Sequence, residues 1–276
     1  MTAYLRPRDL DEALVARAAH PDWMVLAGGT DLMVNANHRA APPGILDLWR
    51  LPAIGFVRIA DDMITIGAGT TWHEVERHTA VRGRIPPLAA AAREIGALQI
   101  QSRATLGGNI GTSSPVGDSL PVLLALDAEL EVASVRGRRR VPYHEWCTGY
   151  RTTQLAADEL IIAAYLPVPG PSTRTTWRKV GTRRAQSISK VMGAAAITLD
   201  GDLVSSARVA LGAVAERPIR VPAVEAAVRG LRLGPAAEAA RAAVRGAIQP
   251  IDDVRSSAAY RREVAENLVA RFFSVS

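Results

Sequence analysis

Apolar and polar positions change rhythm several times along the 276 residues, and the changes predict an α+β chain. Leu10–Ala19 reads as a helix and Trp23–Ala27 as a short apolar strand. A glycine pair follows, then a helical run from about Asp31 to Ala40, broken by Pro42-Pro43-Gly44; Ile45–Leu48 is the next strand. Met1 to about Leu51 therefore forms a β-α-β-like unit. Phe56–Ile59 and Met63–Ala68 alternate around Asp61-Asp62 as a hairpin, and Thr71–Arg77 and Pro87–Gly96 read as helices. After a glycine-rich loop and an apolar segment, Pro121–Leu126, the strands Leu130–Val135, Arg139–Val141 and Leu160–Leu166 follow. Pro167-Val168-Pro169-Gly170-Pro171 is the clearest linker. Beyond it lie the strands Thr175–Val180, Ala194–Leu199 and Leu203–Leu211, the last two joined tightly at Asp200-Gly201. Helices at Ala223–Arg229, Ala236–Ile248 and Ser257–Phe273 then cover one face of a small antiparallel sheet.

Composition narrows the function classes. The length suits two domains. No window of 18 apolar residues occurs, so no membrane span is expected, and the N-terminus lacks the apolar core of a signal segment. The lone cysteine, Cys147, excludes an intrachain disulfide and a cysteine-held cluster carried by this chain alone. A packed thiol and a cytoplasmic protein are expected. The net charge is +6 and the isoelectric point about 10.1. The arginines are scattered among acids, and the one dense run, Arg136–Arg140, stands where a strand should turn. It reads as a solvated hairpin tip, with no nucleic-acid partner expected.

Chemistry concentrates in two loops of one composition: Ala27–Asp31 (AGGTD), between a strand and a helix, and Leu106–Pro115 (LGGNIGTSSP). A glycine pair admits positive φ and lets another group approach without meeting a Cβ. Backbone N–H groups at a helix start favour an anion. Two such loops suit a pyrophosphate, although either alone reads as a structural turn. The spacing is not the dinucleotide GxGxxG, because Thr30 and Met33 stand where glycines are required, and no Walker lysine follows either loop. His73 and His78 lie five apart and would face different sides of a helix, so no metal site is expected. No nucleophile and base share a convincing spacing, which points to a cofactor as the chemical agent. The only two lysines, Lys179 and Lys190, fall in one stretch, KVGTRRAQSISK; either a compact point charge is wanted there or the clustering is chance.

AGGTDLM, TLGGNIGTSSPVGDSLPVLLALDAELEV, KVGTRRAQSISKV and YRREVAENLVARFF together resemble the FAD-binding medium subunits of the molybdenum hydroxylases, the xanthine dehydrogenase and carbon monoxide dehydrogenase type. The resemblance runs nearly end to end. It implies a two-part FAD-binding domain of the vanillyl-alcohol-oxidase-like (PCMH) type over residues 1–172, with subdomains of about 1–53 and 54–172. A small α+β domain of the carbon monoxide dehydrogenase flavoprotein type, with an antiparallel sheet, is implied over 173–276. By motif matching, Val25, Leu26, Ala27, Gly28, Gly29, Thr30, Asp31 and Leu32 are expected around the FAD pyrophosphate, with Asp31 turned onto helix-start amides or a sugar hydroxyl. Thr105, Gly108, Asn109 and Ile110 are expected as the opposing wall, and Gly111, Gly117 and Asp118 toward the ribityl and flavin end. Ile161 and Lys179 match flavin-contacting positions, with Lys179 expected to stabilise negative charge on the reduced ring. The implied role is electron transfer: a molybdopterin large subunit oxidises substrate, a small subunit relays electrons through 2Fe–2S clusters, and FAD here passes them to NAD+ or another acceptor. A dimer of heterotrimers is implied. The lone cysteine argues against the 4-hydroxybenzoyl-CoA reductase branch, whose flavin subunit carries a further cluster. The alternatives are a stand-alone flavin reductase or oxidase of related fold, such as the UDP-acetylenolpyruvoylglucosamine reductases, and a flavin-free binding or assembly protein.

Overall fold

A computed structural model describes residues 2–38, 40–183 and 186–274. Arg39, in the helical run expected from Asp31 to Ala40, and Arg184 and Ala185, within the Lys179–Lys190 stretch, lie outside the described residues. The N-terminal part holds β1 (Ala3–Leu5), α1 (Leu10–Ala19), β2 (Met24–Leu26) and β3 (Gly44–Asp47). Its three strands are parallel, in the order β1-β3-β2. Asp9 caps α1 by accepting from the Glu12 N–H at 2.8 Å. The helix buries Ala13, Leu14 and Ala16 in a core that also holds Leu46, Leu160 and Ile162. The helical run expected after Thr30 forms as a 3-10 helix, Leu32–His38. Its apolar residues Met33 and Val34 are exposed, so no buried face stabilises an α-helix there.

The middle part begins with β4 (Val57–Ile59) and β5 (Met63–Gly67). The helices α2 (Trp72–Arg77), α3 (Thr79–Arg84), α4 (Pro86–Glu94), α5 (Leu98–Gln101), α6 (Leu106–Thr112) and α7 (Leu120–Ala125) follow. Then come β6 (Glu129–Ser134), β7 (Gly137–Pro142), α8 (Tyr143–Trp146), the small hairpin β8 (Cys147–Gly149) and β9 (Thr152–Thr153), and β10 (Leu160–Pro167). The main sheet is antiparallel, ordered β4-β5-β10-β6-β7. Ile64, Ile66, Leu130, Val132, Ala164 and Leu166 share a core with Trp72, Leu88 and Trp146. A register shift between Ile161 and Ala163 places an extra residue in β10. This bulge reverses the facing of the strand: Leu160 and Ile162 join the α1 core, whereas Ala164 and Leu166 join the helical core.

Arg136–Arg140 lies at a solvent-exposed hairpin as expected, with Arg136 in the turn and its other three arginines within β7, and each of the four arginines also meets an acid. Arg136 pairs with Asp158, Arg138 with Glu131 at 2.6 Å, Arg139 with Glu159 at 2.7 Å and Arg140 with Glu129 at 3.2 Å. The basic run is thus largely neutralised in place. Cys147 is buried, its Sγ 2.9 Å from Ser113 Oγ.

The C-terminal part has an antiparallel sheet of β11 (Thr173–Val180), β12 (Val191–Asp200), β13 (Leu203–Gly212) and β14 (Ile219–Arg220), in sequential order. Gly201, at φ +62°, makes the turn between β12 and β13. The helices α9 (Pro222–Val228), α10 (Leu233–Val244) and α11 (Ala258–Phe272) pack on one face, where Val209, Val224, Ala240 and Phe272 share a core. Trp177, Ala194, Ala196 and Ala210 on the other face join the core of the middle part. Covered on both faces, β12 reads as a continuous run of small apolar residues.

Candidate functional site

The first glycine loop meets the backbone just ahead of the second. A Cβ on Gly28 would stand 1.8 Å from the Arg103 carbonyl oxygen. The turn after β2 is therefore pressed on the backbone just ahead of Thr105, and only glycine permits that approach. Gly29 takes φ +76°. Among the described residues, the N–H groups of Gly28, Gly29, Thr30 and Asp31 have no acceptor; the next bond in the turn is Met33 N–H to the Gly29 carbonyl at 2.9 Å. Four consecutive free donors make a concavity for an anion.

The second loop is built differently, and it is largely helical. Ala104–Gly107 is bonded along Ala68–Trp72: Trp72 N–H donates to Ala104 O at 3.0 Å, Leu106 N–H to Thr70 O at 3.0 Å and Gly107 N–H to Ala68 O at 2.8 Å. Thr105 Oγ1 caps α6 by accepting from Gly108 N–H at 3.0 Å, and Asn109 N–H donates to Thr105 O at 3.1 Å. The helix-start amides of α6 are thus already satisfied. The expectation that both loops offer free amides holds only for the first. The second offers a bare surface instead. Gly108 and Gly111 are exposed, and Cβ atoms built on them would meet only Thr105 Oγ1 at 3.1 Å and Ile161 Cδ1 at 3.6 Å. Around this surface, Asn109 Oδ1 accepts from Ser119 Oγ at 2.7 Å and the Ile110 carbonyl from Trp146 Nε1 at 3.2 Å. Ser113, at φ +47°, ends the helix.

Asp118 follows Gly117 and is buried. Its Oδ2 accepts from Lys179 Nζ at 2.6 Å, its Oδ1 from Ser189 Oγ at 2.6 Å and its carbonyl from Trp177 Nε1 at 2.9 Å. Lys179 Nζ also donates to the Glu94 carbonyl at 3.2 Å, and its side chain is only 4% exposed. Burial raises the Asp118 carboxyl above the ordinary aspartate value, and Lys179 and Ser189 draw it back. Lys179 is therefore not the lone cation that the sequence suggested; any field it exerts is that of a pair.

Asp31 makes a contact that the sequence did not suggest. It is exposed and accepts from Arg151 Nη1 at 3.3 Å, facing the tip of the β8–β9 hairpin and not a helix-start amide. Val25 and Leu26 end β2, Ala27 leads into the turn and Leu32 opens the 3-10 helix. Sequence reasoning passed over Arg103. Its Nε lies 3.4 Å from the Gly28 carbonyl and its guanidinium 4.0 Å from the centre of the Trp49 ring. Its place two residues before Thr105 was the available signal.

A family model described as the FAD binding domain in molybdopterin dehydrogenase matches residues 1–169, and one described as the CO dehydrogenase flavoprotein C-terminal domain matches residues 177–275. The chain belongs to the FAD-binding medium subunits of the molybdenum hydroxylase family. This medium subunit is 32% identical over 273 residues to the glyceraldehyde dehydrogenase medium chain of Sulfolobus acidocaldarius, covering 98% of this chain and 96% of that one. It is 31% identical over 276 residues to the nicotine 6-hydroxylase medium subunit of Paenarthrobacter nicotinovorans, covering 97% and 94%. In structure it is similar to a carbon monoxide dehydrogenase from Hydrogenophaga pseudoflava, with a TM-score of 0.93 and 28% identity over 98% of this chain and 95% of that one. It is an oxidoreductase subunit whose cofactor is FAD. Its residues fit that group: four free amides suit a pyrophosphate, and the bare faces of Gly108 and Gly111 leave the space that a Cβ would fill.

Proposed function

We propose that this medium subunit is the electron-transfer flavoprotein of a cytoplasmic molybdenum hydroxylase complex. Bound FAD would accept electrons from 2Fe–2S clusters of a small partner and hand them to NAD+ or another acceptor. A large molybdopterin partner would carry the substrate chemistry, the whole assembling as a dimer of heterotrimers. The relatives' names, a medium chain and a medium subunit, support a place between two partners. The observation that carries the reading is the contact of the first glycine loop, at Gly28, with the backbone just ahead of the second, at Arg103, one loop lined with free amides and the other with bare glycine.

In this reading Val25 to Leu32 hold the pyrophosphate through backbone N–H groups, Asp31 being held off the anion by Arg151. Thr105 fixes the start of α6, so that Gly108, Asn109 and Ile110 form the opposing wall and Gly111 and Gly117 extend it. Ile161 lines the flavin end beside Gly111. The Asp118–Lys179 pair ties that end to β11. Residues 1–172 would form the cofactor domain and 173–276 the domain that buttresses it through Trp177, Lys179 and Ser189.

Copurification from the native host tests the assignment. Two partners arriving with iron, molybdenum and FAD together are expected. Steady turnover of a small substrate by the isolated chain, or a colourless chain that refuses added FAD, would overturn it.

A further inference from the structure

We propose that Arg103 is the side-chain counter-charge for the pyrophosphate held at Gly28–Asp31, an inference that rests on the proposed FAD site. Backbone amides supply partial charges, whereas a bound dinucleotide brings two formal negative charges to its pyrophosphate. The loop adds a further negative group, Asp31, which Arg151 engages at 3.3 Å. Arg103 is the cation left over among the described residues of the two loops: it is exposed, it stands where the first loop touches the backbone ahead of the second, and its contacts are a carbonyl and an aromatic ring.

Its placement suits binding. The Arg103 backbone is fixed against Gly28, where not even a Cβ fits. The side chain folds back so that Nε reaches the Gly28 carbonyl at 3.4 Å and the guanidinium lies 4.0 Å from the Trp49 ring centre. The Trp49 backbone is held in turn, its main-chain N–H donating to Asp47 Oδ1 at 2.9 Å, while Asp47 Oδ2 accepts from Tyr4 Oη at 2.5 Å. A guanidinium laid on such a platform keeps its other N–H donors available and loses little freedom on meeting an anion. With Nε engaged by the Gly28 carbonyl, the guanidinium still has its terminal N–H donors, the groups that can pair two phosphate oxygens at once. Arg50 also approaches Trp49, at 5.6 Å, but makes no described contact with the Gly28 loop.

The test is titration of the flavin-stripped full-length chain with FAD, with ADP (a pyrophosphate without flavin) and with riboflavin (a flavin without phosphate). Arg103→Gln is expected to weaken FAD and ADP by about tenfold each. It should leave riboflavin unchanged and flatten the dependence of FAD affinity on salt, because an exposed ionic contact is screened. Arg103→Lys keeps the charge and should keep the salt dependence. FAD and ADP bound by Arg103→Gln as by the parent would overturn the proposal. So would equal weakening of riboflavin, or an Arg50→Gln variant with the same effect. Should Arg103→Gln fail to fold, the lysine variant decides: loss of the salt dependence in a chain that still melts cooperatively refutes a role for the charge. A parent chain that binds no FAD sinks the reading of the site itself, and this inference with it.

Discussion

At Gly108 a Cβ would press only on Thr105 Oγ1, a side-chain atom at 3.1 Å, whereas at Gly28 the same atom would collide with the Arg103 carbonyl at 1.8 Å. The two glycines therefore fail differently when substituted. Gly108→Val should leave the fold intact, since valine has the better helix propensity and its methyl groups project outward; stability within about 1 kcal/mol of the parent is expected. Those methyl groups would occupy the wall of the cofactor site, and the purified variant should be colourless. A yellow Gly108→Val protein would refute the assignment of this face. Gly28→Ala should lower the melting temperature as well as FAD content, because the loop must move off Arg103 to admit the methyl group. A variant that loses FAD but melts like the parent would contradict the close contact. The AGGTD and LGGN motifs are visible in the sequence. That one glycine is pressed on backbone while the other lies exposed is not, since both are simply residues without a side chain.

At the scale of elements, α6 is the instructive case. Leu106–Thr112 carries three glycines, each costing roughly 1 kcal/mol against alanine in a helix, and by propensity the segment is a loop. Tertiary bonds override that cost: the strand-like pairing of Ala104–Gly107 with Ala68–Trp72 fixes its entry, and Thr105 caps it. The turn after it is held by another element altogether, β11, through the Asp118–Lys179 pair and the Trp177 Nε1 bond. Removing one member of a buried pair strands the other. Lys179→Met should therefore cost about 3–5 kcal/mol in chemical denaturation, and Asp118→Asn in the same chain should restore most of it. Strictly additive losses in the double variant would show that the two groups do not couple.

Across the whole molecule, ion pairs engage many of the arginines, and those pairs contribute to the response to acid. Hydrogen bonds from Arg139 hold the Glu159 carboxyl below the ordinary glutamate value, and Arg245 and Arg93 do the same for Glu266 and Glu76. A lowered folded-state value means that the unfolded chain binds more protons in the interval between the two values. These groups contribute stability that is complete above the ordinary value and is lost as pH falls through the lowered one. The urea midpoint should therefore drop between about pH 6 and about pH 3, and Arg139→Gln should make the drop shallower. An unchanged pH profile in that variant would remove Glu159 from the account. Much of the architecture is legible from residue order alone: the alternation of Met63–Gly67, the hairpin at Asp200-Gly201 and the three C-terminal helices follow from periodicity and turn chemistry, which are local properties. The two glycine motifs, and through them the family, are equally local. The sequence by itself therefore determined the strand and helix inventory of the larger elements, the lack of a cysteine ligand set and the two glycine motifs that carry the family. Only the tertiary structure decided which loop keeps free amides, that Lys179 is paired, that Asp31 turns to Arg151 and that Arg103 stands beside Gly28. Each of these depends on a partner distant in the chain, 61 residues away for Lys179, 120 for Asp31 and 75 for Arg103. Hydrogen bonds and charges are satisfied by whatever group the packed chain brings within reach, and that proximity is written in no local pattern.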